Sequence, residues 1–297
     1  MPGTLQTRLW AAFAFAISVA GPAIAAQPDV SVGPQYDSTH VYVTPRDMDA
    51  FIKSFTATFG GTASPQSITN VLPVPSSTQF RFILTPVGTL STFAFLTPIP
   101  FPFGSERTGY LVTNMDKAVA AARSSGAEVV VAPFKDPIGM DAVVQWPGGF
   151  RTQLYWHFTA PNYAPLAMVP DNRVYISRDS ADTFVTDFLR FSHGKVIEDD
   201  RHADAGQIGR PGEVFRRIRL SSGFGNMLIL VTDGHLPYPF GHEVTGYQVT
   251  DLDETLMKAR ASGATVLSQP YTVGGGRSAM LQFAGGYIAE VHAKTSH

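Results

Sequence analysis

Stretches in which polar and apolar residues alternate are followed by stretches with helical spacing, and this order recurs along the chain. Residues 40–44, HVYVT, alternate in this way, which predicts a half-buried strand. Phenylalanine then recurs at every fourth position, on one face of a predicted helix that Gly60-Gly61 ends. These phenylalanines are Phe51, Phe55 and Phe59. A strand followed by an amphipathic helix is therefore the first predicted unit.

The central part of the sequence occurs twice. The first copy begins at Gly109 with GYLVTNMDKAVAAARSSGAEV, and the second begins at Gly246 with GYQVTDLDETLMKARASGATV, 137 positions later. Gly149 and Gly286, in the closing hairpin of each copy, keep the same offset. A constant offset that holds without a gap over the whole stretch indicates an internal duplication.

The segment before this repeat is duplicated as well, at a slightly smaller offset. Val41 and Val174 are 133 positions apart, so the second copy carries four additional residues. We place them in the polar stretch 198–214, EDDRHADAGQIGRPGEV. Because this stretch is rich in charge and glycine, it is expected to form an exposed, mobile loop.

Each half of each copy contains a strand, a helix and three further strands. The pattern predicts four βαβββ modules and an α+β fold. The segment 159–172, which contains proline and asparagine, is the predicted linker between two tandem domains, 38–158 and 173–294. The four modules are predicted at 38–98, 105–158, 171–233 and 242–294.

Residues 1–25 have the features of a cleavable signal peptide. Arg8 precedes the apolar run 9–20, and Gly21-Pro22 then leads to an Ala-Ile-Ala sequence that ends at Ala25. The run is shorter than the roughly 20 residues that a membrane-spanning helix needs, which disfavours a membrane anchor. We therefore expect cleavage after Ala25, no membrane association of the mature chain, and a secreted or periplasmic protein.

Composition narrows the classes of function. The chain has no cysteine, which excludes disulfides, a cysteine nucleophile and cysteine metal ligands. The formal net charge is −2 and charged residues make up 15 % of the chain, so nothing indicates a nucleic-acid partner. The sequence leaves the oligomeric state open.

Three features occur together: the segment HVYVTPRDMDAF, the repeated GYxVTxxD…ARxSGAxV, and the closing hairpins QWPGGFRTQLYW and QFAGGYIAEVHA. Together they resemble the vicinal oxygen chelate superfamily, which includes glyoxalase I, bleomycin-resistance proteins and extradiol dioxygenases. The resemblance covers nearly all of 38–294. It implies that paired modules curve a mixed sheet into a cup, and that any chemistry takes place on a divalent metal inside the cup.

The resemblance also implies where metal ligands would lie, at the start of a module's first strand and near the end of its last strand. The corresponding residues are His40, Arg107 and Gln153 in the first domain and Arg173, Val244 and Glu290 in the second. Neither set contains three metal-binding residues, which counts against a complete metal site and against glyoxalase or dioxygenase chemistry.

A swapped pairing of modules is the alternative arrangement. If the first module closed a cup with the fourth, His40 and Glu290 would share it. Two protein ligands and water could then hold a divalent metal weakly.

Strand alternation indicates the cup walls independently of the resemblance. Gln153 and Tyr155 lie on the opposite face of their strand from its apolar residues, and Glu290 and His292 do so on theirs. We expect these side chains to line the two concavities together with residues of the first strands. Those residues are His40, Tyr42, Arg173 and Tyr175.

Each candidate has a plain structural alternative. His40 and Gln153 could be hydrogen-bonded wall residues, and Arg107 and Arg173 could form ion pairs instead of binding a ligand carboxylate. Glu290 could be a general base or a carboxylate on an open sheet face.

We therefore expect an exported glyoxalase-like protein that binds a small organic molecule in a cup, as the bleomycin-resistance type does, without a complete metal site. Whether it is an enzyme stays open. The alternative is a lyase or isomerase that uses a divalent metal held by His40 with Glu290 or Gln153. A third alternative is a structural role in which side chains fill the cups.

Overall fold

The computed structural model describes residue 30 and residues 35–37, 39–104, 109–273 and 275–294. The expected signal peptide, 1–25, and the candidate Arg107 lie outside these residues. Within them, no helix combines the length and the apolar character that crossing a membrane requires.

The first domain contains two modules with the predicted order of elements. The first module consists of β1 (Thr39–Tyr42), α1 (Met48–Phe59), β2 (Thr62–Ala63), β3 (Ser67–Val71), β4 (Ser76–Thr85) and β5 (Gly88–Phe95). The second consists of β6 (Gly109–Leu111), α2 (Met115–Ser124), β7 (Glu128–Lys135), β8 (Gly139–Gln145) and β9 (Arg151–His157). Helix α2 begins where the Asn114 side chain accepts a hydrogen bond from the Lys117 N–H at 2.9 Å, so Asn114 is its N-cap.

The second domain repeats this order, with a longer first strand in its first module. That module consists of β10 (Asp171–Ser177), α3 (Arg178–Ser192), β11 (Lys195–Asp204), a 3₁₀ turn (Ala205–Ile208), β12 (Val214–Ser222) and β13 (Gly225–Thr232). The last module consists of β14 (Thr245–Gln248), α4 (Leu252–Ala261), β15 (Thr265–Val266), β16 (Tyr271–Val273), β17 (Gly276–Gln282) and β18 (Ile288–Lys294). The predicted α+β fold of paired βαβββ modules is therefore confirmed.

The modules pair in sequence order. In the second domain the strands form one mixed sheet, β11-β12-β13-β10-β14-β18-β17-β15, with β16 beside β17. Strands β10 and β14 join the two modules, with Asp171 opposite Gly246. In the first domain the sheets β1-β5-β4-β2 and β6-β9-β8-β7 face a common cavity. The swapped pairing of the first and fourth modules is therefore wrong.

The helices nevertheless pack across the two domains. One hydrophobic core combines Phe51 and Phe55 of α1 with Tyr247 and Phe283 of the last module. A second core combines the second module with α3 of the third. Because each core draws residues from both domains, the backs of the two cups are held together by burial of apolar surface.

The stretch 198–214 is not the exposed, mobile loop that its composition suggested. Most of it belongs to β11, the 3₁₀ turn and the start of β12. The acidic residues of β11 are paired across the strands: Arg216 binds Asp199, and Arg217 binds Glu198. The charges therefore stabilise an edge strand, which explains why a charge-rich sequence is ordered here.

The expected linker 159–172 is shorter than predicted, because its last two residues already belong to β10. The rest is irregular and is attached to the first domain, where the Leu166 N–H donates to the Gln35 carbonyl at 2.7 Å.

Candidate functional site

The first cup is the concavity that the first and second modules enclose. It holds a cavity of about 420 Å³. Strand alternation produces this cavity: Val41 and Val43 point to the helix side, whereas His40 points inward. The aromatic side chains of its wall include Phe80, Phe82, Phe93, Phe103, Phe134, Tyr155, Trp156 and Tyr163.

Polar groups converge in this cavity from facing strands. Asp141 of β8 lies opposite Tyr155 of β9 in the antiparallel register. The Gln153 side-chain amide donates to Asp141 Oδ1 at 2.8 Å. The His40 ring lies with its centroid 5.0 Å from that of Phe93, in an edge-to-face arrangement. The cavity thus combines apolar walls with an acid, an amide and an imidazole.

The environment of Asp141 favours its neutral form. Burial and the negative charge of Asp136 raise the pKa of Asp141 to about 7. The hydrogen bond from Gln153 and the charge of His40 act in the opposite direction. Asp141 can therefore donate or accept a proton near neutral pH.

Tyr155 of β9 is hydrogen-bonded to the segment that precedes β1, and so connects the two modules of the first cup. Its hydroxyl donates to the Asp37 carbonyl at 2.6 Å and accepts from the Asp37 N–H at 3.1 Å. The Asp37 carboxylate in turn accepts a hydrogen bond from the Ser91 hydroxyl. Burial raises the pKa of Tyr155 well above its ordinary value. Tyr155 is therefore a neutral wall residue whose hydroxyl is already engaged.

The second cup, enclosed by the third and fourth modules, contains a buried ionic cluster. Arg173 Nη2 lies 3.3 Å from Glu243 Oε1, and Arg173 Nη1 lies 3.9 Å from Glu290 Oε1. The three side chains are 5 %, 0 % and 3 % exposed, in the order Arg173, Glu243 and Glu290. His292 Nδ1 lies 2.8 Å from Glu290 Oε2.

The two carboxylates of this cluster differ in their pKa. Burial raises the pKa of Glu243, and Arg173 offsets only part of that effect. Burial would also raise the pKa of Glu290, but His292 and Arg173 together hold it below its usual value. Burial opposes a charge on His292, whereas Glu290 and Asp171 raise its pKa above the ordinary value. Glu290 and His292 therefore each favour the charged form of the other.

Most of the residues predicted from sequence lie in one of the two cups. His40, Gln153 and Tyr155 line the first cavity. Tyr42 lies beside it, with its ring stacked 5.6 Å from that of Phe93. The residues that meet in the second cup are Arg173, Tyr175, Glu290 and His292.

Two expectations about these residues are wrong. Glu290 is not on an open sheet face, because its side chain is buried against Arg173 and accepts a hydrogen bond from the Ser278 hydroxyl. His40 and Glu290 do not share a cup, because the modules pair in sequence order. Of the expected pairs, only His40 with Gln153 lines one cavity.

Sequence reasoning missed Asp37, Asp141 and Glu243. Asp141 lies within β8, and its inward direction follows from its register with β9. Glu243 precedes by one position the residue Val244 that was aligned with a ligand position, so a shift of one residue would have found it.

The residues present do not fit the metal that the resemblance implies. Across the residues that the structure describes, no group of three or more His, Asp or Glu side chains could hold a metal ion. In the second cup the first-strand position is taken by Arg173, whose guanidinium lies between the two buried carboxylates. The expectation that the protein lacks a complete metal site stays a prediction.

Solved structures with the same two-domain architecture are similar to this chain. A mutant of 4-hydroxymandelate synthase from Streptomyces coelicolor aligns over 90 % of this chain and 94 % of its own, with a TM-score of 0.60 and 12 % identity. A mutant of homoprotocatechuate 2,3-dioxygenase from Brevibacterium fuscum aligns over 92 % and 74 %, with a TM-score of 0.56 and 12 % identity. The 2,3-dioxygenase LapB from Pseudomonas sp. KL28 aligns over 91 % and 94 %, with a TM-score of 0.53 and 12 % identity.

No protein-family model matches the chain, and no curated protein sequence matches it. At 12 % identity the structural likeness establishes the fold and leaves the activity to be argued from the site.

Proposed function

We propose that this chain, which has the tandem two-domain fold of the vicinal oxygen chelate superfamily, binds a small organic molecule in its first cup. The observation that carries the proposal is the cavity of about 420 Å³ between the first two modules. Cavities of roughly 300–1,000 Å³ with apolar walls and a few convergent polar groups are the usual sites of small ligands.

The chemistry of the wall supports a ligand with an aromatic or apolar body. Phe80, Phe82 and Phe93 present ring faces and edges on one side, and Trp156 lies on the other. Asp141 with Gln153, and His40 on the facing strand, would orient the polar part of the ligand. Several similar structures are named as dioxygenases or as a synthase of small organic compounds, which supports a ligand of this size.

A matched pair of tryptophan substitutions tests the site. Thr69 lines the cavity, whereas the adjacent Ile68 is 68 % exposed and points away on the same strand. Thr69→Trp fills the cavity, and Ile68→Trp adds the same side chain outside it. The probes are phenol, phenethylamine and phenylacetate, which share a ring and differ in charge, with affinity measured by calorimetry.

We expect at least one of these probes to bind the unmodified protein and the Ile68→Trp variant, and to bind the Thr69→Trp variant at least tenfold more weakly. Equal affinity for the two variants would show that the probe binds elsewhere. If none of the three probes bound the unmodified protein at millimolar concentration, the proposal of an aromatic ligand would be wrong.

One observation favours an enzyme as the second candidate function. Asp141 has a pKa of about 7 and shares a cavity with His40, which is the arrangement that a lyase or isomerase needs for proton transfer. In such an enzyme His40 would be essential. A folded His40→Ala variant that keeps the ligand affinity but loses turnover would establish this role, and unchanged turnover would remove His40 from the mechanism.

We also propose that the mature protein is exported and begins after Ala25. The order of Arg8, the apolar run 9–20 and Ala25 supports this. N-terminal sequencing of the protein purified from its native host tests it: a mature N-terminus at Ala26 is expected, and a retained residue 1 would contradict it.

A further inference from the structure

We infer that the second cup is a cation site and that the guanidinium of Arg173, a group of the chain itself, is its cation. This group closes the second cup to external ligands and metals. The inference is independent of the function proposed for the first cup. It starts from the three buried side chains Arg173, Glu243 and Glu290.

The carboxylates lie on either side of one guanidinium. Glu243 comes from the segment before β14 and Glu290 from β18, so both are brought to Arg173 of β10 by the central strands of the sheet. Two buried carboxylates strongly destabilise a fold unless a positive charge compensates them. Arg173 contacts both, whereas His292 contacts only Glu290.

The surrounding backbone leaves little room beside this cluster. A Cβ atom at Gly246 would lie 2.7 Å from Glu290 Oε2 and 3.4 Å from Arg173 Cδ. The strand β14 can pass this close to the ion pair because position 246 has no side chain. The site is therefore built around a group of the size and charge of Arg173.

A hydrophobic cluster of the second copy covers the side of the sheet on which Arg173 lies. Ala205 and Ile208 of the 3₁₀ turn pack with Leu228 and Leu230 of β13, and Tyr175 packs against this cluster. The turn lies in the stretch 198–214, where the second copy has its four additional residues. The first copy lacks this insertion, and its cup contains the cavity.

The hydrogen bonding of the buried polar atoms shows that the stability of the cluster depends on the guanidinium. Within the described residues, Glu243 Oε2 and Arg173 Nε are buried without a hydrogen-bond partner. Glu243 Oε1 receives both the Arg173 contact and a hydrogen bond from the Tyr175 hydroxyl. Removing Arg173 would therefore leave Glu243 without its positively charged neighbour.

Chemical rescue tests the inference. Arg173→Ala vacates the space of the guanidinium and leaves the carboxylates in place. We expect ethylguanidinium chloride, at concentrations too low to denature, to raise the melting temperature of this variant by about 3 °C or more, because it binds the folded state alone. The unmodified protein should show no such rise. Manganese chloride is tested separately, to determine whether the vacated site also binds a divalent cation.

Arg217→Ala is the matched control. Arg217 is as buried as Arg173, but its partners Glu198 and Asp200 are 34 % and 39 % exposed and can be solvated. We expect neither cation to stabilise this variant. Absence of stabilisation of Arg173→Ala by either cation, or equal stabilisation of both variants, would overturn the inference.

A second pair of variants covers the case in which Arg173→Ala does not fold. Arg173→Met leaves Glu243 without a cation, while His292 still contacts Glu290; adding Glu243→Gln removes that uncompensated carboxylate. We expect the double variant to be more stable than the single one, or to fold where the single one does not. A double variant no more stable than the single one would contradict a role of Arg173 as the resident cation.

Discussion

At the scale of single residues, the two cups use buried acids in opposite ways. Asp141 in the first cup accepts a hydrogen bond from the Gln153 amide and has a pKa of about 7. Glu290 in the second cup lies between His292 and Arg173, and its pKa is lowered. In the first cup the acid stays available to a ligand, whereas in the second cup charged side chains of the protein compensate the charge of the carboxylate.

The raised pKa of Asp141 predicts a dependence of stability on pH. The folded state holds a proton on Asp141 up to about pH 7, whereas an unfolded aspartate loses it near pH 4. The folded state therefore binds more protons between about pH 4 and 7, and its stability falls as the pH rises through this window.

Asp141→Asn removes this contribution and keeps the acceptor for Gln153. The variant should match the unmodified protein near pH 4 and exceed its stability above pH 7 by at most about 4 kcal/mol. Urea unfolding at pH 4, 6 and 8 measures the difference, with Asp136→Asn as the control for removing a neighbouring charge. A difference that does not grow with pH would show that Asp141 ionises normally.

At the scale of elements, β11 shows how charge orders an edge strand. Arg216 of β12 donates from Nε and Nη2 to Asp199 at 2.8 and 2.7 Å, and from Nη1 to Asp182 of α3 at 2.7 Å. The planar guanidinium fork connects two strands and a helix, which an ammonium group cannot do. The charged edge also disfavours pairing with a strand of another molecule.

Arg216→Lys keeps the charge and loses the fork. We expect a loss of about 1 kcal/mol in the free energy of unfolding and faster amide exchange in β11. Arg210→Lys, which changes an arginine paired with the exposed Glu213 and Asp233, should cost less than about 0.5 kcal/mol. Equal exchange of β11 in both variants would argue against this role of Arg216.

Strand β11 also illustrates which features of the fold could be predicted from the sequence and which could not. Periodicity predicted α1, α2 and the closing hairpins, because these elements bury one face and the pattern records which face. It failed at 198–214, because a run of charges looks the same whether it faces water or the arginines of a neighbouring strand. It also missed Asp141 and Glu243, because their convergence depends on sheet register and not on spacing along the chain.

At the scale of the whole molecule, the two cups share their hydrophobic cores. The Phe55 ring lies 5.6 Å from Tyr247 and 5.1 Å from Phe283, so a helix of the first domain is buried against strands of the second. The second module packs on α3 in the same way. We therefore expect the two domains to unfold together.

Phe55→Ala tests this coupling. Phe55 is fully buried, and its truncation should cost about 3–5 kcal/mol. Amide exchange of β5 reports on the first domain, and amide exchange of β13 reports on the second. Both should lose stability by the same amount, whereas Met257→Ala, at a position on α4 that is 62 % exposed, should change neither. A loss confined to the first domain would show that the domains unfold independently.

The position of a bound probe shows whether the first cup is open and the second cup is closed. The probe is 4-iodophenol, whose iodine gives an anomalous X-ray signal in crystals of the unmodified protein. We expect a signal in the first cup, among Phe93, Asp141 and Trp156, and none near Arg173. A signal in the second cup, or only on the outer surface, would contradict this expectation.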